Sequence, residues 1–340
     1  SCPTHMHAPE YIRAIWEGKA EEAVRQIYQS NPFSQVCGRV CTRRCETACS
    51  IGRRGEPVAI RWLKRYAMDA VSDARIRQIA AEDKVDYISG KKVAVIGAGP
   101  AGLTAAFDLV KKGHEVTVFE AMEKPGGMTR YGIPEYRLPY DRLDADVEVI
   151  TSLGVQIRYN TCIGKDVSLQ ELERDYDAVV VAIGLQKGRS TRIPGSNHRQ
   201  VKKAVSLLRK ITRGDTFDVP RSAVVIGGGN VAMDIARSLA RLQKQQHGEV
   251  KITVAALESF DHFLADQEEV TESREEGIEI LDSRGPKQIL IDDQDKLTGL
   301  ATLGVISIFD DDGRFAPRYD DNDEQIHPAE MVVDSFGQRS

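Results

Sequence analysis

"KVAVIGAGPAGLTAAFDL", residues 92–109, decides the fold. A β-branched run ends in Gly97, Gly99 and Gly102 at GxGxxG spacing, and small and apolar residues then recur at helical intervals. Strand, glycine turn and helix in that order open a dinucleotide-binding unit. Gly97 permits the tight turn, Gly99 lets a pyrophosphate approach the backbone, and Gly102 allows close packing of helix on strand. Pro100 and Ala101 open the helix, whose amino terminus faces the anion. A second strand, "EVTVFE" (residues 115–120), ends in Glu120, where a carboxylate accepts hydrogen bonds from an adenosine ribose.

The unit occurs again at residues 222–239, "SAVVIGGGNVAMDIARSL". Gly227 and Gly229 keep the spacing, Ala232 replaces the third glycine, and Asn230, Val231 and Asp234 complete the turn and first helical turns. Two such units imply two nucleotide cofactors, or one cofactor and one nucleotide substrate. The second unit is expected to bind the nicotinamide nucleotide. Its following strand, "VKITVAALES" (residues 250–259), ends in Leu257 and Glu258. A free ribose diol wants a carboxylate there and a 2′-phosphate wants a guanidinium, so Glu258 predicts NADH in preference to NADPH. The alternative is a solvated turn acid.

Outward from these units the chain changes character. Residues before about 85 carry apolar side chains at three-to-four spacing in "APEYIRAIWEGKAEEAVRQIYQS" and "VAIRWLKRYAMDAVSDA", which indicates helices. From about residue 90, β-branched runs alternate with glycine turns and helical segments, the pattern of a parallel α/β fold. "FDDDGRFAPRYDDNDE" (residues 309–324) reads as a solvated acidic hairpin or loop.

A net charge of −5 argues against nucleic acid as a partner, because phosphate neutralisation needs a basic surface. With 41% of residues hydrophobic the chain can bury proper cores, yet no apolar run is long enough to span a bilayer. The first residues lack a basic-then-apolar signal, and a soluble, cytoplasmic protein is expected.

Five of the six cysteines fall in the first fifty residues, four of them in "CGRVCTRRCETAC" (residues 37–49). A loop curling around a cubane lets thiolates at this spacing converge, so a local [4Fe-4S] site is expected, with a structural zinc as the rival. Arg39, Arg43, Arg44, Arg53 and Arg54 either offset the charge of such a site or are ordinary surface arginines. Cys162 stands alone and reads as a small buried hydrophobe, which argues against a disulfide reductase needing a CxxC pair.

The chain resembles the small subunit of glutamate synthase and its relatives, including the amino-terminal half of dihydropyrimidine dehydrogenase. The likeness runs through "CPTHMHAPEYI", "NPFSQVCGRVC", "CETAC", "GEPVAIRWLKRY", "VAVIGAGPAGLTAA", "PGGMTRYGIPEYRLP" and "VIGGGNVAMD", so it covers nearly all 340 residues. It implies an α/β fold with two Rossmann-like dinucleotide-binding domains preceded by a small all-α iron-sulfur domain. The implied boundaries are 1–85 for the helical iron-sulfur domain, 90–190 for FAD and 191–327 for NAD(H), with the FAD domain resuming at about 328–340. Gly126, Gly127 and Met128 look like a second flavin contact, Ile133, Arg137 and Leu138 are expected near the flavin ring, and Gly184 closes the crossover strand leaving the FAD domain.

The resemblance also assigns the sulfurs. Cys37, Cys41 and Cys45 match three ligands of one cluster, Cys2 matches the fourth, and Cys49 matches a ligand lent to a second cluster. That cluster's other cysteines would lie before residue 1. Thr42 stands where proline is common, and Leu257 and Glu258 stand where the glutamate synthase subunits have two arginines for the NADPH phosphate. Both ends look cut, so a fragment or part of a split protein is expected. The implied function is an oxidoreductase passing electrons from NADH through FAD to [4Fe-4S] and on to an electron-accepting protein or large subunit in a hetero-oligomer. No catalytic side chain is expected, because hydride transfer between cofactors needs only positioning and electrostatics. The alternative is a non-catalytic electron-relay or docking subunit.

Overall fold

The amino-terminal region of the computed structural model forms helices α1 (Ala8–Trp16), α2 (Ala20–Tyr28), α3 (Ser34–Val40), α4 (Arg44–Thr47), α5 (Ile60–Ala70) and α6 (Asp73–Ala81). The structure describes residues 2–339, as two units that meet between Gly184 and Leu185. The helical periodicity at residues 8–30 is divided between α1 and α2 by Gly18, whose φ of 71° a side-chain-bearing residue resists.

The first unit continues with β1 (Lys92–Ile96), α7 (Pro100–Lys111), β2 (Glu115–Phe119), α8 (Met128–Tyr131), α9 (Tyr140–Ser152), β3 (Gln156–Arg158), α10 (Leu169–Asp175) and β4 (Ala178–Val181). The strands pair in parallel in the order β3-β2-β1-β4. β1 and β2 are buried beyond their first residues, as parallel strands covered on both faces must be. Tyr11, Ile27, Met68 and Ile76 of the amino-terminal helices share one core with Leu103 and Phe107 of α7 and Leu143 and Ile150 of α9. The cysteine-bearing helices and the first glycine turn therefore stand on common packing.

The second unit comprises β5 (Lys187–Gly188), β6 (Val201–Lys203), α11 (Ala204–Arg213), β7 (Ala223–Ile226), α12 (Asn230–His247), β8 (Ile252–Ala255), α13 (Gln267–Glu275), β9 (Glu279–Leu281), β10 (Arg284–Ile291), β11 (Leu297–Phe309), β12 (Phe315–Pro328), β13 (Met331–Asp334) and β14 (Gln338–Arg339). A parallel sheet runs β6-β13-β7-β8-β9, and β10-β11-β12 form an antiparallel sheet. The acidic stretch is a hairpin, with Phe309 opposite Phe315 at its tip.

One expectation is corrected here. Within the described residues the stretch 328–339 does not resume the first nucleotide domain: Met331–Asp334 pairs in parallel with β6 on one side and β7 on the other. All four residues are buried, and a strand of that kind needs neighbours on both edges and cover on both faces, which the second sheet supplies. β14 then pairs antiparallel with β5 of the same unit. Among the described residues no helix is long and apolar enough to cross a membrane.

Candidate functional site

The first glycine turn forms as its sequence requires. Gly97 has φ 105°, and a Cβ there would press on the Ala182 carbonyl just beyond β4. A side chain on Gly102 would strike the Gly97 carbonyl, so α7 can start only this close to β1 without one. Pro100 takes the first helical position, where its missing N–H costs nothing. Ala101 is exposed beside it, and Gly184, φ 64°, lies beyond β4 at the same end of the sheet. Glu120 is buried and its carboxylate accepts N–H bonds from Ala98 (2.7 Å) and Met122 (2.8 Å). It braces the turn and keeps further lone pairs for a ribose.

Gly126 and Gly127 lie against this turn. The Gly126 N–H donates to the Ala98 carbonyl at 2.8 Å, and a Cβ on Gly127 would come within 2.8 Å of the Gly99 Cα. Gly127 has φ 53° and ψ −127°, a conformation that glycine alone holds cheaply. Two glycine-lined surfaces thus face one space at the carboxyl end of the sheet. Arg130 fixes the loop: its Nε donates to the Pro125 carbonyl at 2.6 Å and its guanidinium pairs with Asp144 of α9. Met128 and Ile133 are half-buried, as is Arg137. Leu138, expected at the flavin ring, is instead fully buried in the core under the loop. Its side chain supports the site and has no surface to offer a ligand.

The second turn repeats the first. Gly227 has φ 134° and lies under the Ser335 carbonyl, as Gly97 lies under that of Ala182. Gly229 precedes α12, and Ala232 is fully buried in the third glycine's place. Val231 is half-buried and Asp234 buried. Asn230 exchanges hydrogen bonds with Asp266, its Oδ1 accepting from the Asp266 N–H at 2.9 Å, which draws the 257–266 loop over the turn. Glu258 reaches the middle of the turn, its Oε2 2.8 Å from where a Gly228 Cβ would stand. It holds beside Gly228 the place Glu120 holds beside Ala98.

Cys2 precedes α1, and four more cysteines lie along α3, α4 and the turns that follow them. Cys37 lies within α3, Cys41 ends it, and Cys45 lies within α4. Gly38 lets α3 and α5 approach closely, since a Cβ there would be 3.2 Å from the Arg65 Cα. Tyr11 is buried between them: burial, then negative charge on Cys45, Cys2 and Cys41, pushes its phenol up. Burial raises the Cys37 thiol against the opposing charge of Lys64, and burial followed by the charge of Cys41 raises Cys45. At Cys2 burial also works upward, but hydrogen bonds from Thr4 and Met6 and the charge of Lys64 leave the thiol below its ordinary value. Backbone hydrogen bonds with Val58, Gly52 and Ile51 lower Cys49. All six cysteines are free.

Cys2, Cys41 and Cys45 thus act on one phenol, and Cys2 and Cys37 on one ammonium. Among the described residues no three His, Cys, Asp or Glu side chains converge closely enough to hold a single metal ion. The donors in this region are thiols, the ligand type that a four-iron cubane takes. Cys162 is exposed, not buried: it lies in a surface turn where its N–H donates to Asp166. Arg39 pairs with Asp69 (2.7 Å) and Gln35, and Arg44, Arg53 and Arg54 are exposed.

Two residues not singled out above belong with the site. Asp146 of α9 is wholly buried, and its carboxylate accepts the N–H groups of Gln35 (3.1 Å) and Val36 (3.0 Å) at the start of α3. Three residues earlier on α9, Leu143 packs beneath Gly126. Lys64 of α5 is the second, buried on the helix face that carries Ala67 and Met68, and its charge works to lower the Cys2 and Cys37 thiols.

A family model described as pyridine nucleotide-disulphide oxidoreductase matches residues 91–339, and one described as dihydropyrimidine dehydrogenase domain II, 4Fe-4S cluster, matches residues 1–76. The chain is 36% identical over 359 residues to the NADP(+)-dependent formate dehydrogenase subunit beta of Moorella thermoacetica, across 99% of this chain and 50% of that one. It is 35% identical over 290 residues to the NAD-dependent dihydropyrimidine dehydrogenase subunit PreT of Escherichia coli (strain K12), across 84% and 68%. To the glutamate synthase [NADPH] small chain of the same organism it is 31% identical over 352 residues, across 99% and 73%. It spans about half the length of the formate dehydrogenase subunit. The chain belongs to the pyridine nucleotide-disulphide oxidoreductase family, and within it to the members that carry a dihydropyrimidine dehydrogenase-type 4Fe-4S domain.

Proposed function

We propose that this chain takes electrons from NADH bound on its second glycine-turn unit, through FAD on the first, to a [4Fe-4S] cluster on Cys2, Cys37, Cys41 and Cys45, and on to a partner protein. The observation that carries this reading is α9, which supports the Gly126–Gly127 loop with Leu143 and the Cys37 helix with Asp146. Bound flavin and cluster together would supply the conversion of one two-electron donor into single-electron transfers. The chain's own part is binding and orientation. The Gly97–Gly99 turn and the α7 amino terminus offer backbone N–H groups to a pyrophosphate, and Glu120 offers its remaining lone pairs to a ribose. Gly126 and Gly127 let a ligand lie flat against the backbone.

Glu258 supports NADH as donor: a carboxylate over the second turn accepts from a ribose diol and repels a 2′-phosphate. Relatives carry names with either nucleotide. Those names also describe subunits, which favours a hetero-oligomer here, and six free cysteines suit a reducing, cytoplasmic setting. Cys49, with its lowered thiol, remains the ligand offered to a second cluster.

Anaerobic titration of the holoprotein with NADH tests the proposal. Bleaching of flavin absorbance should be followed by the electron paramagnetic resonance signal of a reduced cluster. Flavin reduction that never reaches an iron signal would contradict it.

A further inference from the structure

Residues 37–66 carry eight Lys and Arg against two acids, a net +6 in a chain whose net charge is −5. They form one stretch of fold: α3, α4, the loop that follows and the first two turns of α5. Two contacts hold it together. The Arg65 Cα lies 3.2 Å from where a Gly38 Cβ would stand, and the Glu46 Oε1 accepts the Arg61 N–H at 2.8 Å. Arg44, Arg53 and Arg54 are exposed, and so are Ile51 (58%), Trp62 (46%) and Tyr66 (59%). Trp62 and Tyr66 are one turn apart on α5, and the guanidinium carbons of Arg61 and Arg65 lie 5.1 and 5.4 Å from the Trp62 ring centroid. Concentrated like charge destabilises a fold by self-repulsion, so stability does not explain the stretch. Exposed apolar side chains set among such charge mark an interaction surface, and Trp, Tyr and Arg are the residues that most often anchor one.

We infer that the α4–α5 face docks a small electron-carrier protein whose own surface is acidic. Ile51, Trp62 and Tyr66 are the apolar anchors, and Arg44, Arg53 and Arg54 are the rim that steers the carrier in. This rests on the electron path proposed above. The stretch contains Cys37, Cys41, Cys45 and Cys49, so a carrier held on this face stands beside the proposed ligands. It takes up one electron at a time with no bond made or broken, and the face has only to hold it close. Outside residues 37–66 the chain is strongly acidic, which disfavours a long polyanion and suits a compact partner.

The test measures binding of the native holoprotein to an acidic plant-type ferredoxin, to basic cytochrome c and to a single-stranded oligonucleotide. Salt is raised from about 10 mM to about 0.15 M, which shortens the Debye length from about 30 Å to about 8 Å. Ferredoxin should bind best, with an association rate at least about tenfold higher at low salt. The double variant Arg53→Gln, Arg54→Gln should lose about tenfold of that low-salt rate, while Arg53→Lys, Arg54→Lys should stay near native. Trp62→Ala should act on dissociation instead, about tenfold faster. Labile sulfide and bleaching of bound flavin by NADH should be unchanged in all three. Failure of ferredoxin to bind, or a glutamine variant that binds like the native protein, overturns the inference alone. So does equal or tighter binding of cytochrome c or of the oligonucleotide. Loss of labile sulfide in the glutamine variant overturns it too, because the arginines would then serve the cluster. Absence of labile sulfide or of flavin bleaching in the native protein overturns the electron path first.

Discussion

The carboxylate of Asp146 accepts the backbone N–H of Val36 at 3.0 Å, one residue before Cys37. A helix amino terminus has N–H groups without intrahelical partners, and α3 finds an acceptor for two of them on α9. Asp146→Ala strands two buried donors, at a cost of about 2 kcal/mol or more. Urea unfolding should show that loss, and labile sulfide should fall with it because Cys37 loses its anchored helix.

The same group gives a pH signature. Burial pushes the Asp146 carboxyl up to about 7, against the lowering effect of the Val36 and Gln35 N–H groups. A raised folded value means that the folded state holds a proton which the unfolded chain releases near its ordinary carboxylate value. The associated stability is complete below that value and is lost as pH rises through about 7. Between about pH 4 and about pH 7 native stability should fall relative to Asp146→Asn, which does not titrate, and above that range the two should run parallel. Profiles that are parallel within that range as well would refute the buried-proton account.

Glu258 should set nucleotide preference. The native protein is expected to show higher kcat/KM with NADH than with NADPH, and Glu258→Arg should reduce that ratio at least about tenfold, or about 1.4 kcal/mol. Steady-state kinetics with both nucleotides decide it; an equal or better native response to NADPH contradicts the reading.

Gly127→Ala should lose flavin while the fold persists. The residue's φ of 53° and ψ of −127°, with a Cβ 2.8 Å from the Gly99 Cα, cost a side chain about 1–3 kcal/mol and displace the loop from the turn. Flavin absorbance per chain is the readout. Gly55→Ala, where no atom lies within 4 Å of the added Cβ, should leave it unchanged.

Both nucleotide units were legible because their chemistry is local: turn, helix start and strand-end acid lie within about thirty residues. Asp146 and Lys64 were missed because their partners are distant, Val36 being 110 positions from Asp146. A signal was nonetheless present. Asp146 shares a helical stripe with Leu143, Val147 and Ile150, and Lys64 with Ile60, Ala67 and Met68, so each is a charged residue at a position where its helix faces the core. Leu138 was placed by motif resemblance, which does not report which way a side chain turns. The strand at Met331–Asp334 was assigned to the wrong sheet because a short buried run does not name its neighbours.

Cysteine replacement separates the ligands from the bystander. Serine at Cys2, Cys37, Cys41 or Cys45 should each abolish or strongly reduce labile sulfide, and Cys162→Ser should not, since Cys162 lies in an exposed turn of the α/β region.

The most direct test is the cofactor content of the native protein purified without oxygen: flavin, iron and acid-labile sulfide per chain, with the absorption spectrum. About one flavin and at least about four irons and four sulfides are predicted. Flavin without labile sulfide would contradict the electron path, labile sulfide without flavin would make the chain a relay rather than an oxidoreductase, and absence of both would contradict the account entirely.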